Sequence, residues 1–393
     1  MGRKLLCILA ASLMLVNLWG VQASAAGEQL LSAGPVEVMA PLAYLMDATT
    51  GTELYAKAEH ERRAPASMTK IATLAVVFDA LAAGEISTED QVTASPRAAS
   101  LGGSQIYLAA GEQMSVEDLL LAVAVSSAND ASVALAEHVS GTVEGFVDDM
   151  NSLVSRLGLQ NTHFTNPHGL DDDDHYSSAH DLARLGRYLV THHPGVTEYT
   201  STWSHWLRED TDRPFWLTNT NRLLQHYVGL DGLKTGKTDR AMWCLTATAA
   251  REATRLIATV MGAETSDHRF DDVARLLDAG FASVETVILA RPGDTLTTAV
   301  VWDGQQEQVD LGVPQDAAVT IPRGAKDQVA VSTTVDADAL VAPVGTDQVV
   351  GSVRAEIAGE VVGEFPLVPV HDVERCSMMA LFGRIVRRLW FMR

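Results

Sequence analysis

The chain has 393 residues, of which 47% are hydrophobic, so it is long enough to bury a sizeable core and suggests two domains. Its formal net charge of −21 argues against nucleic acid as a partner, because nucleic-acid-binding proteins present a basic surface.

The N-terminus has the pattern of a signal peptide. Arg3 and Lys4 form a charged region, residues 5–16 form an apolar run, and residues 21–25 resemble a cleavage site with small side chains. The apolar run is short for a transmembrane span, which disfavours the alternative of a retained anchor. We therefore predict that residues 1–25 direct export and are then removed.

The exported chain would keep two cysteines, Cys244 and Cys376, which lie far apart in the sequence. Two distant cysteines do not indicate a disulfide framework. An exported protein can do without one if its core is large.

The following region, residues 26–284, combines short strands with apolar helices. Ser115 and the carboxylates after it predict a helix N-terminus, and a polar loop at 126–130 separates two apolar helices. The predicted elements are strands over 40–46 and 53–56, helices over 68–84, from 114, over 131–139, 144–157 and 269–281, and further strands within 228–262. Helices on an antiparallel sheet in this order indicate an α+β fold.

The composition changes after about residue 285, where Val, Thr, Asp, Gly and Pro dominate and helical periodicity fades. Short strands separated by closely spaced turns predict a small all-β domain over residues 285–372. Residues 373–393 are predicted to form an amphipathic helix. Within 375–393 apolar side chains share one helical face, arginines lie on the other, and no acidic residue occurs. This pattern favours a helix lying on a membrane surface over one packed on its own domain.

Three short motifs carry the chemistry, in the order Ser67-Met68-Thr69-Lys70, Ser127-Ala128-Asn129 and Lys234-Thr235-Gly236. Taken singly, the first can be an N-cap serine beside a solvated lysine, the second a turn, and the third a strand end. Taken together and in this order, they resemble the S-x-x-K, S-D-N and K-T-G set of class A β-lactamases and penicillin-binding proteins, with alanine at the middle position of the second motif.

The spacing of Ser67 and Lys70 suits a nucleophile and its base. Residues three apart share a helical face, so the Lys70 amine can reach the Ser67 hydroxyl. An alcohol needs an adjacent base, and a lysine acts as a base only when its pKa is lowered. The apolar run after Lys70 predicts burial of the amine, and Lys234 supplies a second cation. Both effects lower the pKa of a lysine.

The chain resembles the low-molecular-mass penicillin-binding proteins that are serine-type D-alanyl-D-alanine carboxypeptidases. Beyond the three motifs, the resemblance extends to the segments FTNPHGL (164–170), HYSSAHDL (175–182), NTNRLL (219–224) and GLDGLKTG (229–236), and into the β domain. It implies a β-lactamase/transpeptidase-like domain followed by the β domain and the amphipathic helix. It also implies removal of the terminal D-alanine from peptidoglycan stem peptides through an acyl-enzyme on Ser67, without a cofactor or metal. β-Lactam antibiotics would acylate the same serine.

The resemblance also implies roles for the other site residues. Ser127 would pass a proton to the leaving amine, and Asn129 would hold the substrate peptide and the Lys70 amine. Lys234 and Thr235, with Arg269, would bind the terminal carboxylate, and Gly236 would belong to the same substrate-binding motif. The backbone amides of Ser67 and Lys237 would form the oxyanion hole.

The Lys237 side chain stands where many relatives carry histidine or an aromatic residue. We hypothesise that its charge lowers the pKa of Lys70 further.

Two other functions remain as alternatives, a serine β-lactamase and a penicillin-binding scaffold without activity. No E-x-x-L-N segment follows Asn129, and the β domain and tail also argue against a β-lactamase. The intact motifs argue against a scaffold. The acidic run 171–174 fits a solvated loop better than a cation site. The predicted location is the outer face of the cytoplasmic membrane, with residues 375–393 as the peripheral attachment.

Overall fold

A computed structural model describes residues 36–336 and 340–379, together with Phe382 and Arg384. The predicted signal peptide and most of the predicted amphipathic helix lie outside this range, so both remain predictions. Among the described residues, Ala66–Ala83 is long and apolar enough to cross a membrane, but two thirds of it is buried, as expected of a core helix. The two described cysteines, Cys244 and Cys376, are free.

The N-terminal domain is built on a five-stranded antiparallel sheet. Its strands are β1 Leu42–Asp47, β2 Glu53–Lys57, β7 Leu230–Thr238, β8 Met242–Arg251 and β9 Thr254–Ala263. The spatial order β2-β1-β9-β8-β7 leaves β7 at one edge. Two short hairpins lie outside this sheet, β3 Gln91–Thr93 with β4 Gln113–Ser115 and β5 Ser204–Leu207 with β6 Phe215–Thr218.

Helices cover both faces of the sheet. They are α1 Lys70–Ala83, α2 Pro96–Ala99, α3 Val116–Val125, α4 Asn129–Ser140, α5 Val143–Arg156, α6 Ala179–His192, α7 Val196–Thr200 and α8 Ser266–Ser283. Because successive side chains of a strand point to opposite faces, β1 contributes to two cores. Leu42 and Tyr44 pack with the helices α1 to α7, whereas Ala43 and Leu45 pack with α8. The predicted α+β arrangement follows from this layering.

Capping side chains set several helix boundaries. The Ser115 hydroxyl accepts a hydrogen bond from the Asp118 amide at 3.1 Å, as predicted for the start of α3. Thr265 caps α8 in the same way through the His268 amide, so this helix begins three residues before the predicted position.

The C-terminal domain consists of two antiparallel sheets. One pairs β10 Val284–Ala290 with β13 Ala317–Pro322, and the other has the order β11-β12-β16-β15-β14. The strands of the second sheet are β11 Thr297–Val300, β12 Gln308–Gly312, β14 Ala330–Val335, β15 Gly351–Ile357 and β16 Glu360–Pro369. The predicted helix start at 373 is too early, because Val373 pairs with Val344 and Arg375 pairs with Gly304 in extended conformation.

The Asp47 carboxylate joins the two domains. It is fully buried at the end of β1, and its Oδ2 accepts hydrogen bonds from the hydroxyls of Thr286 on β10 and Thr320 on β13, the latter at 2.9 Å. Its Oδ1 accepts from the Thr49 amide at 2.7 Å. A buried carboxylate is thus satisfied from both sides of the domain boundary.

Candidate active site

Ser67 lies in a 3-10 turn, Ala66–Thr69, that leads directly into α1. No side-chain hydrogen bond caps either the turn or the helix, so the alternative interpretation of Ser67 as an N-cap is wrong. Its hydroxyl is partly exposed and lies 3.1 Å from the Lys70 amine. The turn therefore presents the hydroxyl beside an amine rather than to the helix end.

The Lys70 amine is fully buried and has three hydrogen-bond partners. Two are carbonyl oxygens, Asn129 Oδ1 at 2.7 Å and the His168 backbone at 2.7 Å, and the third is Ser67 Oγ. A carbonyl oxygen can only accept, whereas a hydroxyl can also donate. A neutral amine has two hydrogens and one lone pair. It can therefore satisfy both carbonyls and direct its lone pair at the Ser67 hydroxyl.

The surroundings of Lys70 favour this neutral form. Burial holds the pKa of Lys70 well below its ordinary value, the charge of Lys234 lowers it further, and Asp130 acts in the opposite direction. The Asp130 carboxylate is itself engaged by the backbone amides of Ile106, at 3.1 and 3.2 Å, and Leu108, at 3.1 Å. The net effect favours the neutral amine, which is the form that can accept a proton.

Ser127 and Asn129 lie where α3 gives way to α4. Ser127 has a φ of 65°, and its Oγ is buried without a hydrogen-bond partner among the residues that the structure describes. Left-handed backbone and an unpaired buried hydroxyl are both costly, and such features concentrate at functional sites. Asn129 donates from Nδ2 to the Gly102 carbonyl at 2.7 Å, which fixes Oδ1 toward Lys70.

The edge strand β7 brings the third motif to the same site. A Cβ on Gly236 would lie 2.9 Å from the Pro65 carbonyl oxygen, so the strand can approach the Ser67 turn closely only with glycine there. Lys234 is buried, and burial, followed by the charge of Arg269, lowers its pKa to about 7. Thr235 shares a hydrogen bond of 2.6 Å with the hydroxyl of Thr220.

Lys237 and Arg269 make contacts that bear on their predicted roles. The Lys237 amine pairs with the exposed Asp239 at 3.0 Å, and the lowered pKa of Lys70 has burial and Lys234 as its causes. The hypothesis that Lys237 tunes Lys70 therefore lacks support. Arg269 is buried, stacks on Trp243, and donates to the carbonyls of Gly236 and Cys244 at 3.2 and 3.3 Å. The contact of Arg269 with a substrate carboxylate stays a prediction. In this structure its hydrogen bonds to Gly236 and Cys244 stabilise β7 and β8.

Three groups of the active site are not predicted from the sequence. They are the His168 carbonyl that binds Lys70, Gly169 beside it, and Thr220, which contacts Thr235. Gly169 has a φ of 88°, and a Cβ there would lie 1.9 Å from the Ala66 carbonyl oxygen. The segment FTNPHGL points to Gly169, because no predicted helix end or hairpin turn at this position accounts for a glycine.

The acidic run 171–174 is tied to the turn between β7 and β8. Thr238 donates to Asp171 at 2.8 Å, and Arg240 pairs with Asp173 at 2.9 Å. Within the described part of the chain, no group of three or more His, Cys, Asp or Glu is arranged to hold a metal ion.

Two family models match the chain. One, described as D-alanyl-D-alanine carboxypeptidase, matches residues 29–265, and the other, described as the C-terminal domain of penicillin-binding protein 5, matches residues 285–375. The D-alanyl-D-alanine carboxypeptidase DacF of Bacillus subtilis is 40% identical over 343 residues, covering 87% of this chain and 88% of its own length. DacC of Escherichia coli is 38% identical and covers 92% of this chain and 89% of its own length.

Solved structures show the same similarity. Penicillin binding protein 5 from Haemophilus influenzae superposes with a TM-score of 0.77 at 36% identity, covering 87% of this chain and 99% of that one. Penicillin binding protein 6B from Escherichia coli superposes with a TM-score of 0.69 at 33% identity, covering 85% and 96%.

Proposed function

The chain belongs to the D-alanyl-D-alanine carboxypeptidase family of serine peptidases, and we propose that Ser67 is its nucleophile and Lys70 its base. The observation that carries this assignment is the set of contacts around the Lys70 amine. Two carbonyl oxygens occupy its two hydrogens, and the third contact is the Ser67 hydroxyl. The amine can therefore take the hydroxyl proton as the oxygen attacks.

The reaction would proceed through an acyl-enzyme. Ser67 Oγ attacks the carbonyl of the peptide bond between the two D-alanines, and its proton passes to Lys70. The backbone amides of Ser67 and Lys237 would stabilise the oxyanion. As the C–N bond breaks, Ser127 relays a proton to the leaving amine, which departs as D-alanine. Water then hydrolyses the ester and restores Ser67.

The substrate would lie along β7, whose edge position leaves it able to pair with an extended peptide. Its terminal carboxylate would meet Lys234 and Thr235, with Arg269 supporting the strand. Asn129 would hold the substrate amide as well as the Lys70 amine. A β-lactam presents an amide and a carboxylate to the same groups, so it would acylate Ser67.

One assay separates this function from its alternatives. The purified protein and its Ser67→Ala variant are incubated with a fluorescent penicillin and, separately, with a peptide ending in D-Ala-D-Ala. We expect stable labelling and D-alanine release by the wild type and neither by the variant. Rapid turnover of the penicillin without peptide cleavage would indicate a β-lactamase. Labelling that survives in Ser67→Ala would refute the assignment of the nucleophile.

We also propose export and peripheral membrane attachment. Residues 1–25 would act as the signal peptide, and residues 375–393 would lie on the outer surface of the cytoplasmic membrane. The support is the basic amphipathic pattern of the tail in a chain that is otherwise acidic. Vesicle binding that survives deletion of residues 377–393 would contradict the role of the tail.

A further inference from the structure

An exposed apolar stripe lies at the end of the β domain where the C-terminal tail begins. Its members are Val300, Trp302 and Val341, whose exposed fractions are 51%, 58% and 46%. Single exposed apolar side chains are ordinary, but a contiguous group containing tryptophan marks an interaction surface.

Strand register places these three side chains on one face. Val300 and Trp302 are two residues apart along one extended run, so they point the same way. Trp302 forms a parallel bridge with Val341, and the Trp302 amide donates to the Leu340 carbonyl at 2.8 Å. The alternate residues Val301 and Leu340 are buried. The outward positions of this sheet edge are thus apolar where a solvated face would be polar.

The tail leaves the domain beside this stripe. The Cys376 amide donates to the Asp303 carbonyl at 2.8 Å, and the Arg384 guanidinium donates to the Gly304 carbonyl at 2.7 Å. Both contacts are made by residues that directly follow Trp302 in the chain. The start of the tail also exposes the large apolar side chains of Met378 and Phe382. The stripe and the tail therefore present apolar side chains at the same end of the molecule.

We propose that Val300, Trp302 and Val341 form a second membrane contact, so that the β domain itself rests in the lipid headgroup region beside the tail. This inference rests on the proposed attachment of the tail. The occupant is assigned as lipid because the stripe is continuous with the tail. Indole side chains, in addition, favour the boundary between water and hydrocarbon. The β domain would then be held on the surface at two points rather than tethered by one.

The test compares vesicle partition of the full chain and three variants. The probes are vesicles of phosphatidylcholine containing phosphatidylglycerol, and vesicles of phosphatidylcholine alone. Trp302→Ser removes the centre of the stripe. Trp206→Ser is the matched control, because it removes a tryptophan of similar exposure, 44%, from the N-terminal domain. Deletion of 377–393 removes the tail. Release of D-alanine from a soluble peptide shows that the N-terminal domain of each variant is folded, and an unchanged thermal unfolding profile shows the same for the β domain.

We expect Trp302→Ser to weaken partition about tenfold, equivalent to about 1.4 kcal/mol, on both kinds of vesicle, and Trp206→Ser to leave it unchanged. If tail deletion abolishes binding while Trp302→Ser binds like the wild type, the inference is refuted and the proposed attachment stands. If the wild type fails to bind either vesicle, the proposed attachment itself fails. An equal loss in both tryptophan variants would also overturn the inference, because the effect would not belong to the stripe.

Discussion

Replacing Asn129 by aspartate tests whether Lys70 acts as a neutral base. The carboxylate would occupy the place of Oδ1, which lies 2.7 Å from the Lys70 amine. An opposite charge at contact distance favours the protonated amine and raises its pKa. The substitution also replaces the Nδ2 donor to the Gly102 carbonyl with a second oxygen, so a variant that loses the same donor without gaining a charge is needed for comparison.

The expected magnitude follows from the contacts. An opposite charge this close shifts a pKa by about one to three pH units. If neutral Lys70 takes the Ser67 proton, the acidic limb of the pH profile of the acylation rate moves to higher pH by the same number of units. Asn129→Ala is the comparison. It loses the hydrogen bonds to Lys70 and to Gly102, each worth about 0.5–1.5 kcal/mol, and adds no charge. Loss of the Lys70 contact should lower the plateau by about two- to tenfold.

The assay measures the acylation rate with a fluorescent penicillin from about pH 5 to about pH 9, because the limb reports the pKa of the essential base. We expect the limb to move in Asn129→Asp and to stay near its wild-type position in Asn129→Ala. A lowered plateau with an unmoved limb in Asn129→Asp would show that Lys70 is not the titrating base.

Three further changes have definite expected outcomes. Ser127→Ala should keep the melting temperature within about 2 °C of the wild type, because Ser127 Oγ has no described hydrogen-bond partner to lose. The same variant should be acylated about a hundredfold or more slowly, as measured by penicillin labelling. In the wild type, the pKa of Lys234 is about 7 in the folded state and 10.5 in the unfolded state. The free energy of unfolding therefore rises with pH between these values, by at most about 1.4 kcal/mol per pH unit, and Lys234→Met should remove this rise. Urea unfolding at several pH values checks this, and an unchanged slope would contradict it. Gly169→Ala should cost at least about 1–3 kcal/mol of stability, because of its φ of 88° and the contact with Ala66, and a wild-type urea midpoint would disprove the constraint.

The sequence predicts the family, the α+β fold and the all-β second domain correctly, because those depend on periodicity, composition and motif order. Helix ends were less accurate. The predicted helix over 269–281 is Ser266–Ser283, since the Thr265 hydroxyl caps it. The helix Ala179–His192 lies outside the predicted elements, although Ser178 caps it by accepting a hydrogen bond from the Asp181 amide. Such caps are local signals that can be read before the structure is known.

In the active site, side chains with characteristic chemistry can be predicted from the sequence, whereas backbone groups cannot. Ser67, Lys70, Ser127, Asn129 and Lys234 could be named because their side chains carry the chemistry, and the structure brings them together. The backbone carbonyl that binds Lys70 could not be named, since any residue type supplies a carbonyl. The roles of the named side chains stay predictions until the assays above are made.

The Asp47 carboxylate has a consequence for dividing the protein into parts. A shortened protein that ends at residue 284 would lack Thr286 and Thr320, and the buried Oδ2 would lose both of its hydroxyl partners. Removing the β domain would also expose this oxygen, so water would replace the two hydroxyls and the carboxylate, fully buried in the whole chain, would become a surface charge. An engineer who wants that domain alone must therefore consider residue 47 as well as the end point. The Thr50 and Thr254 hydroxyls also form hydrogen bonds with Thr320 and with the Thr286 amide, so the two domains that differ in composition share a hydrogen-bonded boundary.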